Sequence, residues 1–215
     1  MKMKTGFTMA ETLITLGIVA IIASVAMPAF KNLRPNQEMM MLKKAYYLAG
    51  RVVSELINDD EFYPENDNEL QAGFSQTAKA QYHGHDYEGD VKFCGLFAAR
   101  MNVKGEVHCD SSINKNNTFV DYTAPGSGHF TTNDDIVWVL PINNFGSGSN
   151  NSKQSIYVDV NGEKPGNCFA TNSSCRKPDR FEIKVDRFGK IFVEDSTTRK
   201  YLSMTDTTKS YMDMR

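Results

Sequence analysis

The chain opens MKMKTGFTMAETLITLGIVAIIASVAMPAF. From Leu13 to Phe30 no residue is charged. As a helix this run is roughly 27 Å long, close to the hydrocarbon thickness of a bilayer. A segment of that length and apolarity is expected to be helical and transmembrane. Glu11 stands at its entrance, where a bare carboxylate in lipid costs at least a few kcal/mol and usually has a function. An ordinary secretory signal peptide accounts poorly for it, because positive charge is expected before the apolar run. A plain signal anchor leaves it unexplained. A cut between Gly6 and Phe7 gives it a role. Phe7 becomes a new positive N-terminus and Glu11 falls in the first helical turn, where a carboxylate is favourable with the helix dipole. It can also neutralise an amine, its own or a neighbour's.

The segment KTGFTMAETLITLGIVAIIASVAMP resembles the N-terminus of type IV pilins and type II secretion pseudopilins. That family pattern is a short basic leader ending in Gly, then Phe, Thr, an apolar residue, any residue, Glu and a hydrophobic helix. Met9 departs mildly from the more usual Leu. The resemblance implies a prepilin peptidase that cleaves after Gly6 and methylates the Phe7 amine. It makes Glu11 the assembly residue that pairs with a neighbour's N-terminus. Pro28 matches the proline that bends the family's helix, and a proline inside a helix removes a hydrogen bond. The implied product is a structural subunit of a type IV pilus or secretion pseudopilus, not an enzyme. Its implied partners are other pilin or pseudopilin subunits, the inner membrane and, indirectly, an assembly ATPase. The implied location is a single pass through the bacterial inner membrane, with an extracytoplasmic C-terminal domain that ends in a periplasmic or extracellular filament. The basic residues Lys31, Arg34, Lys43 and Lys44 beyond the apolar run oppose that topology under the positive-inside rule. The leader motif outweighs them.

Further along, MMMLKKAYYLAGRVVSELI places Leu42, Ala45, Tyr46, Ala49, Val53 and Leu56 on one helical face. An amphipathic helix is therefore expected, with a bend or short break near Arg34 caused by Pro35. From there the chain turns polar and β-rich. A strand is expected around Ile136 to Leu140, another in SIYVDV, and a hairpin in DRFEIKVDRFGKIFVED. In that hairpin Phe181, Ile183 and Val185 alternate on one face and Gly189 sits in the turn. The expected fold is α+β: a long kinked N-terminal helix, its first half transmembrane, packed on a C-terminal antiparallel sheet. The expected organisation is leader 1–6, apolar helix 7–34, amphipathic helix 35–60 and an extracytoplasmic β-rich domain 61–215.

The four cysteines have spacings that fit no zinc pattern. They admit three disulfide pairings. In an exported chain the nearest-neighbour choice is Cys94–Cys109 with Cys168–Cys175. Asp159, Asn161 and Glu163, with Asp179, present hard oxygen ligands at alternate positions, as calcium requires. Turn chemistry explains the same residues, and no metal site is assigned. His83, His85 and Asp86 are expected to be solvated. His108 beside Cys109 would suggest a nucleophile only if the thiol were free. Ser127 lacks the spacing of a nucleophile elbow. No phosphate-binding loop is present. A net charge of −2 and the lack of a basic aromatic surface argue against nucleic-acid binding. The rival from another class is a signal-anchored extracytoplasmic enzyme or binding domain, which requires a pocket of converging polar groups.

Overall fold

The computed structural model describes residues 8–32, 37–65, 72–109, 127–142, 145, 153–162, 164 and 167–204. These fall into two compact units: one contains the first helix, and the other is Glu38–Met204. Helix α1 runs Met9–Asn32. Helix α2 runs Gln37–Ile57.

This overturns the expectation of one long, bent, membrane-crossing helix. The two helices are separate, and α1 continues without a break through position 28 to Asn32. Pro35, expected to bend or break the helix, lies outside the described residues. Pro28 forfeits one hydrogen bond without ending α1. Among the described residues no helix is long and apolar enough to cross a membrane. Polar groups recur along α1: Glu11 in its first turn, and Thr12, Thr15 and Ser24, whose hydroxyls donate to the carbonyls of Met9, Thr12 and Ile21. The placement as a single-pass inner-membrane protein falls with the span.

The larger unit is α+β. Its sheet has six strands: β3 Val103–His108, β4 Ser127–Thr132, β5 Val137–Pro141, β6 Lys153–Asp159, β7 Arg180–Asp186 and β8 Ile191–Phe192. They lie in chain order, each antiparallel to the next, so β3 and β8 are the edges. A separate hairpin pairs β1 Ala80–Tyr82 with β2 His85–Tyr87. Helix α3 spans Lys92–Ala99 and helix α4 spans Ser196–Ser203.

Strand alternation sorts side chains onto two faces. The register Phe130↔Trp138, Trp138↔Val158 and Val158↔Phe181 runs an apolar row across four strands. Ile156, Ile183 and Val185 share that face, and all three are fully buried. The helices cover it. Phe97 of α3 lies 5.7 Å from Trp138, and Tyr201 of α4 lies 5.6 Å from Phe181, centroid to centroid. On α2, a Cβ added at Gly50 would stand 3.0 Å from Ile191 Cδ1, so this helix packs closely on β8.

Helix α2 buries Met39, Leu42, Ala45, Ala49, Val52, Val53 and Leu56, at the spacing of one helical face. Three polar contacts tie it down. Lys44 pairs with Asp134 at 2.7 Å, Glu38 pairs with Lys177 at 2.8 Å, and Lys43 Nζ donates to the Met204 carbonyl. Helix α4 is capped by Asp195, whose carboxylate accepts from Thr198 N at 2.6 Å and Thr198 Oγ1 at 2.7 Å. The other face of the sheet is partly covered. Val137 and Val139 are packed there by Tyr157 and Phe169.

Candidate functional site

The start of α1 is built from Thr8 and Glu11. The Thr8 backbone N–H donates to Glu11 Oε2 at 2.8 Å, and its hydroxyl donates to the same oxygen at 2.9 Å. In return the Glu11 N–H donates to Thr8 Oγ1 at 3.3 Å. This is a capping box: the side chains at the first and fourth positions satisfy one another's backbone donors. Both hydrogen bonds from Thr8 favour the ionised carboxyl and hold the Glu11 pKa below its ordinary value. The sequence signal is T-M-A-E, the T-x-x-E spacing of a capping box ahead of an apolar run. That local role is absent from a reading that considers only the dipole and a neighbouring amine. Gly6 and Phe7 lie outside the described residues, as does the side chain of Pro28.

Beyond this cap, Leu13, Ile14, Leu16, Ile18, Val19, Ile21 and Ile22 of α1 are each more than half exposed. Successive helical residues are about 100° apart, so these side chains point around the whole axis. A helix that is apolar on every side is ordinarily buried. In a single copy of this chain it is uncovered.

The remaining candidates are placed as follows. Cys94 is bonded to Cys109, and Cys168 to Cys175. The first bridge joins α3 to the end of edge strand β3. The second closes the loop that carries Phe169. Cys109 therefore has no thiol for a nucleophilic role beside His108.

Asp159, Asn161 and Asp179 come together, but as partners of N–H donors. Asp179, almost fully buried, accepts from Cys168 N at 2.8 Å through Oδ1. Its Oδ2 accepts from Asn161 Nδ2 at 2.9 Å and Asn167 N at 2.7 Å. Asp159 pairs with Arg180 at 3.0 Å and accepts from Asn161 N at 3.2 Å. Burial raises the Asp159 pKa, and Arg180 offsets part of that effect. Glu163 lies outside the described residues. Among the described residues no group of three or more His, Cys, Asp or Glu side chains is placed to hold a metal ion.

His83 and Gly84, both at positive φ, form the two-residue turn of the β1–β2 hairpin. Asp86 is paired with Lys79 at 2.6 Å and not with either histidine. Ser127 opens β4 opposite Pro141.

A shallow cleft of about 330 Å³ between α2, the end of α3 and the β4–β5 turn is lined by Lys44, Leu48, Arg51, Arg100 and Asp134, among others. Its charges are already matched. Besides the Lys44–Asp134 pair, Arg100 binds Asp59 at 3.1 Å and lies 3.7 Å from Glu55, which also reaches Arg51 at 3.6 Å.

No protein-family model matches the chain, and no solved structure does. Among curated proteins it is similar to fimbrial protein EcpC of Eikenella corrodens. The two are 30% identical over 107 residues, covering 48% of this chain and 67% of that protein.

Proposed function

The chain belongs to the family of fimbrial proteins, and from that premise we propose that it is a subunit of a type IV pilus filament, matured from a precursor. A prepilin peptidase cuts between Gly6 and Phe7 and methylates the new amine. The fimbrial relative favours a pilus over a secretion pseudopilus. Assembly is with other pilin subunits, and the filament is extracellular. The role is structural; catalysis is performed on the chain, not by it.

One observation carries this reading: the large apolar side chains of α1 from Leu13 to Ile22 point around the helix axis and are exposed in the single copy. Burying such side chains contributes roughly 25 cal/mol per Å² of apolar surface. Copies of α1 packed side by side in a filament core would supply that burial. In the same reading Glu11, held ionised by Thr8, meets the Phe7 amine of a neighbouring copy. The docked amine then competes with Thr8 for the Glu11 carboxylate.

The test is the intact mass and N-terminal peptide mass of the protein isolated with and without prepilin peptidase. A start at N-methylated Phe7 supports the proposal; a start at Met1 in both preparations overturns it. The second arm is Glu11→Ala. It is expected to be cleaved normally and to be depleted from sheared filaments, whereas normal incorporation would refute the role given to Glu11.

A further inference from the structure

Edge strand β3 is held to β4 in a register that places His108 directly opposite His129. The two imidazoles are stacked, with centroids 4.8 Å apart and planes inclined by 29°. The rings lie nearly parallel and do not converge on a common point, an arrangement suited to stacking and not to chelation. The register between Lys104 and His108 is irregular, so the pairing of the last residue of β3 rests on few regular contacts. His129 is half-buried, and its Nδ1 is buried with no hydrogen-bond partner among the described residues.

The surroundings of the pair are asymmetric. On β3, the Glu106 carboxylate stands 3.9 Å from His108 Nε2. Across β4, the residue opposite His129 is the uncharged Val139. Continuing along the same row come Tyr157 and Glu182, and the Glu182 carboxylate is engaged by the Tyr157 hydroxyl at 3.0 Å and the Ser155 hydroxyl at 2.6 Å. Gly128, next to His129, faces the other side of the sheet, under Cys94. On the His129 face, Lys104 of β3 stands opposite Thr131 and is paired with Asp135 at 2.8 Å. A proton on His129 Nδ1 would place an N–H where none of the described residues accepts it, beside a second imidazole.

We propose that His108 and His129 form an acid-sensitive latch on the edge of the sheet: with the His129 ring neutral β3 stays closed on β4, and protonation of His129 releases it. The Cys94–Cys109 bridge keeps the released strand tethered to α3, so the opening is local and reversible. Release uncovers the hydrogen-bonding edge of β4, a surface that can pair with another strand.

The direction follows from linkage. Burial, and then the neighbouring His108, hold the His129 pKa below its ordinary 6.5. As pH falls through that ordinary value the opened strand takes up a proton that the closed strand refuses. Closure is therefore fully favoured above about 6.5 and weakens progressively below it.

Hydrogen exchange of backbone amides tests this on the full chain, read as protection corrected for intrinsic rate at about pH 7.5 and about pH 5. Protection in residues 103–108 is expected to fall roughly threefold to tenfold at the lower pH, while β6 and β7 hold theirs. In His129→Gln the fall is expected to vanish. Unchanged protection of β3 in the unsubstituted chain, or an equal fall in His129→Gln, would overturn the proposal. Should His129→Gln not fold, His108→Gln decides: a much reduced fall supports the latch, and an undiminished one overturns it.

Discussion

Glu11 illustrates how one side chain can serve two partners. Its capping contacts with Thr8 need only a hydrogen-bond acceptor, whereas an amine of a neighbouring copy needs a negative charge. Glu11→Gln separates the two, because glutamine preserves the capping box and removes the charge. We expect Glu11→Gln to keep the start of α1 helical yet to assemble as poorly as Glu11→Ala. Filament yield compared with helicity of the purified chain reads this out. Equal assembly of Glu11→Gln and the unsubstituted chain would reduce Glu11 to a cap.

Lys92 is a second residue whose environment sets its chemistry. It is nearly fully buried, donates to the Phe62 carbonyl at 2.5 Å and sits 4.4 Å from the centre of the Tyr63 ring. Burial pulls its pKa down from the ordinary 10.5 to about 8. Between those two values the unfolded chain keeps a proton that the folded chain has lost, so folding stability rises with pH across that window. Burial raises the pKa of the Tyr63 phenol, and that acts in the opposite sense once unfolded tyrosines ionise, above about pH 10. Denaturant unfolding at about pH 8 and about pH 9.5 should show this rise, and Lys92→Met should remove it. A rise of the same size in Lys92→Met would show that another group is responsible.

At the level of elements, the join between α3 and β3 is close. A Cβ at Gly128 would stand 2.4 Å from Cys94 Sγ and 2.6 Å from the His108 carbonyl oxygen. No residue but glycine fits there without displacing either backbone or disulfide. Gly128→Ala should cost about 1–3 kcal/mol of stability, the usual penalty for overpacking a close contact. A change of less than a few tenths of a kcal/mol in urea unfolding would mean that the two segments part easily. The helices differ in how they reach stability. Helix α2 is amphipathic and gains its energy from the sheet beneath it, whereas α1 carries exposed apolar side chains around its axis from Leu13 to Ile22.

For the whole molecule, the Cys94–Cys109 bridge closes a loop of 15 residues around the connection from α3 to β3. Chain-entropy arguments put such a bridge at about 3 kcal/mol. Cys94→Ala combined with Cys109→Ala should lower stability by roughly 2–4 kcal/mol and leave the β6–β7 core intact, measured by calorimetry together with hydrogen exchange. An unchanged midpoint would show that the folded contacts alone hold β3 in place.

Local chemistry settles a definite share of this protein. The period of α2, the alternation of Phe181, Ile183 and Val185, and the turn at Gly189 each follow from neighbours a few residues away, and neighbours are visible in a sequence. The capping box is equally local, since T-M-A-E states it. Strands β3 and β4 are harder to read, because VKGEVH and SGHFTT carry glycines and polar residues that weaken the strand pattern. Only their pairing with each other and with β5 makes them strands. Helix α3 is a short apolar run whose periodicity does not distinguish helix from strand. Three disulfide pairings are open to the four cysteines until the fold brings Cys94 to Cys109 and Cys168 to Cys175. The alternate oxygens of Asp159 and Asn161 suggest a cation, but the fold delivers Arg180 and four N–H donors to Asp159 and Asp179 instead. In each of these cases the deciding partner is distant in the chain, and a sequence lists residues without saying which distant ones meet.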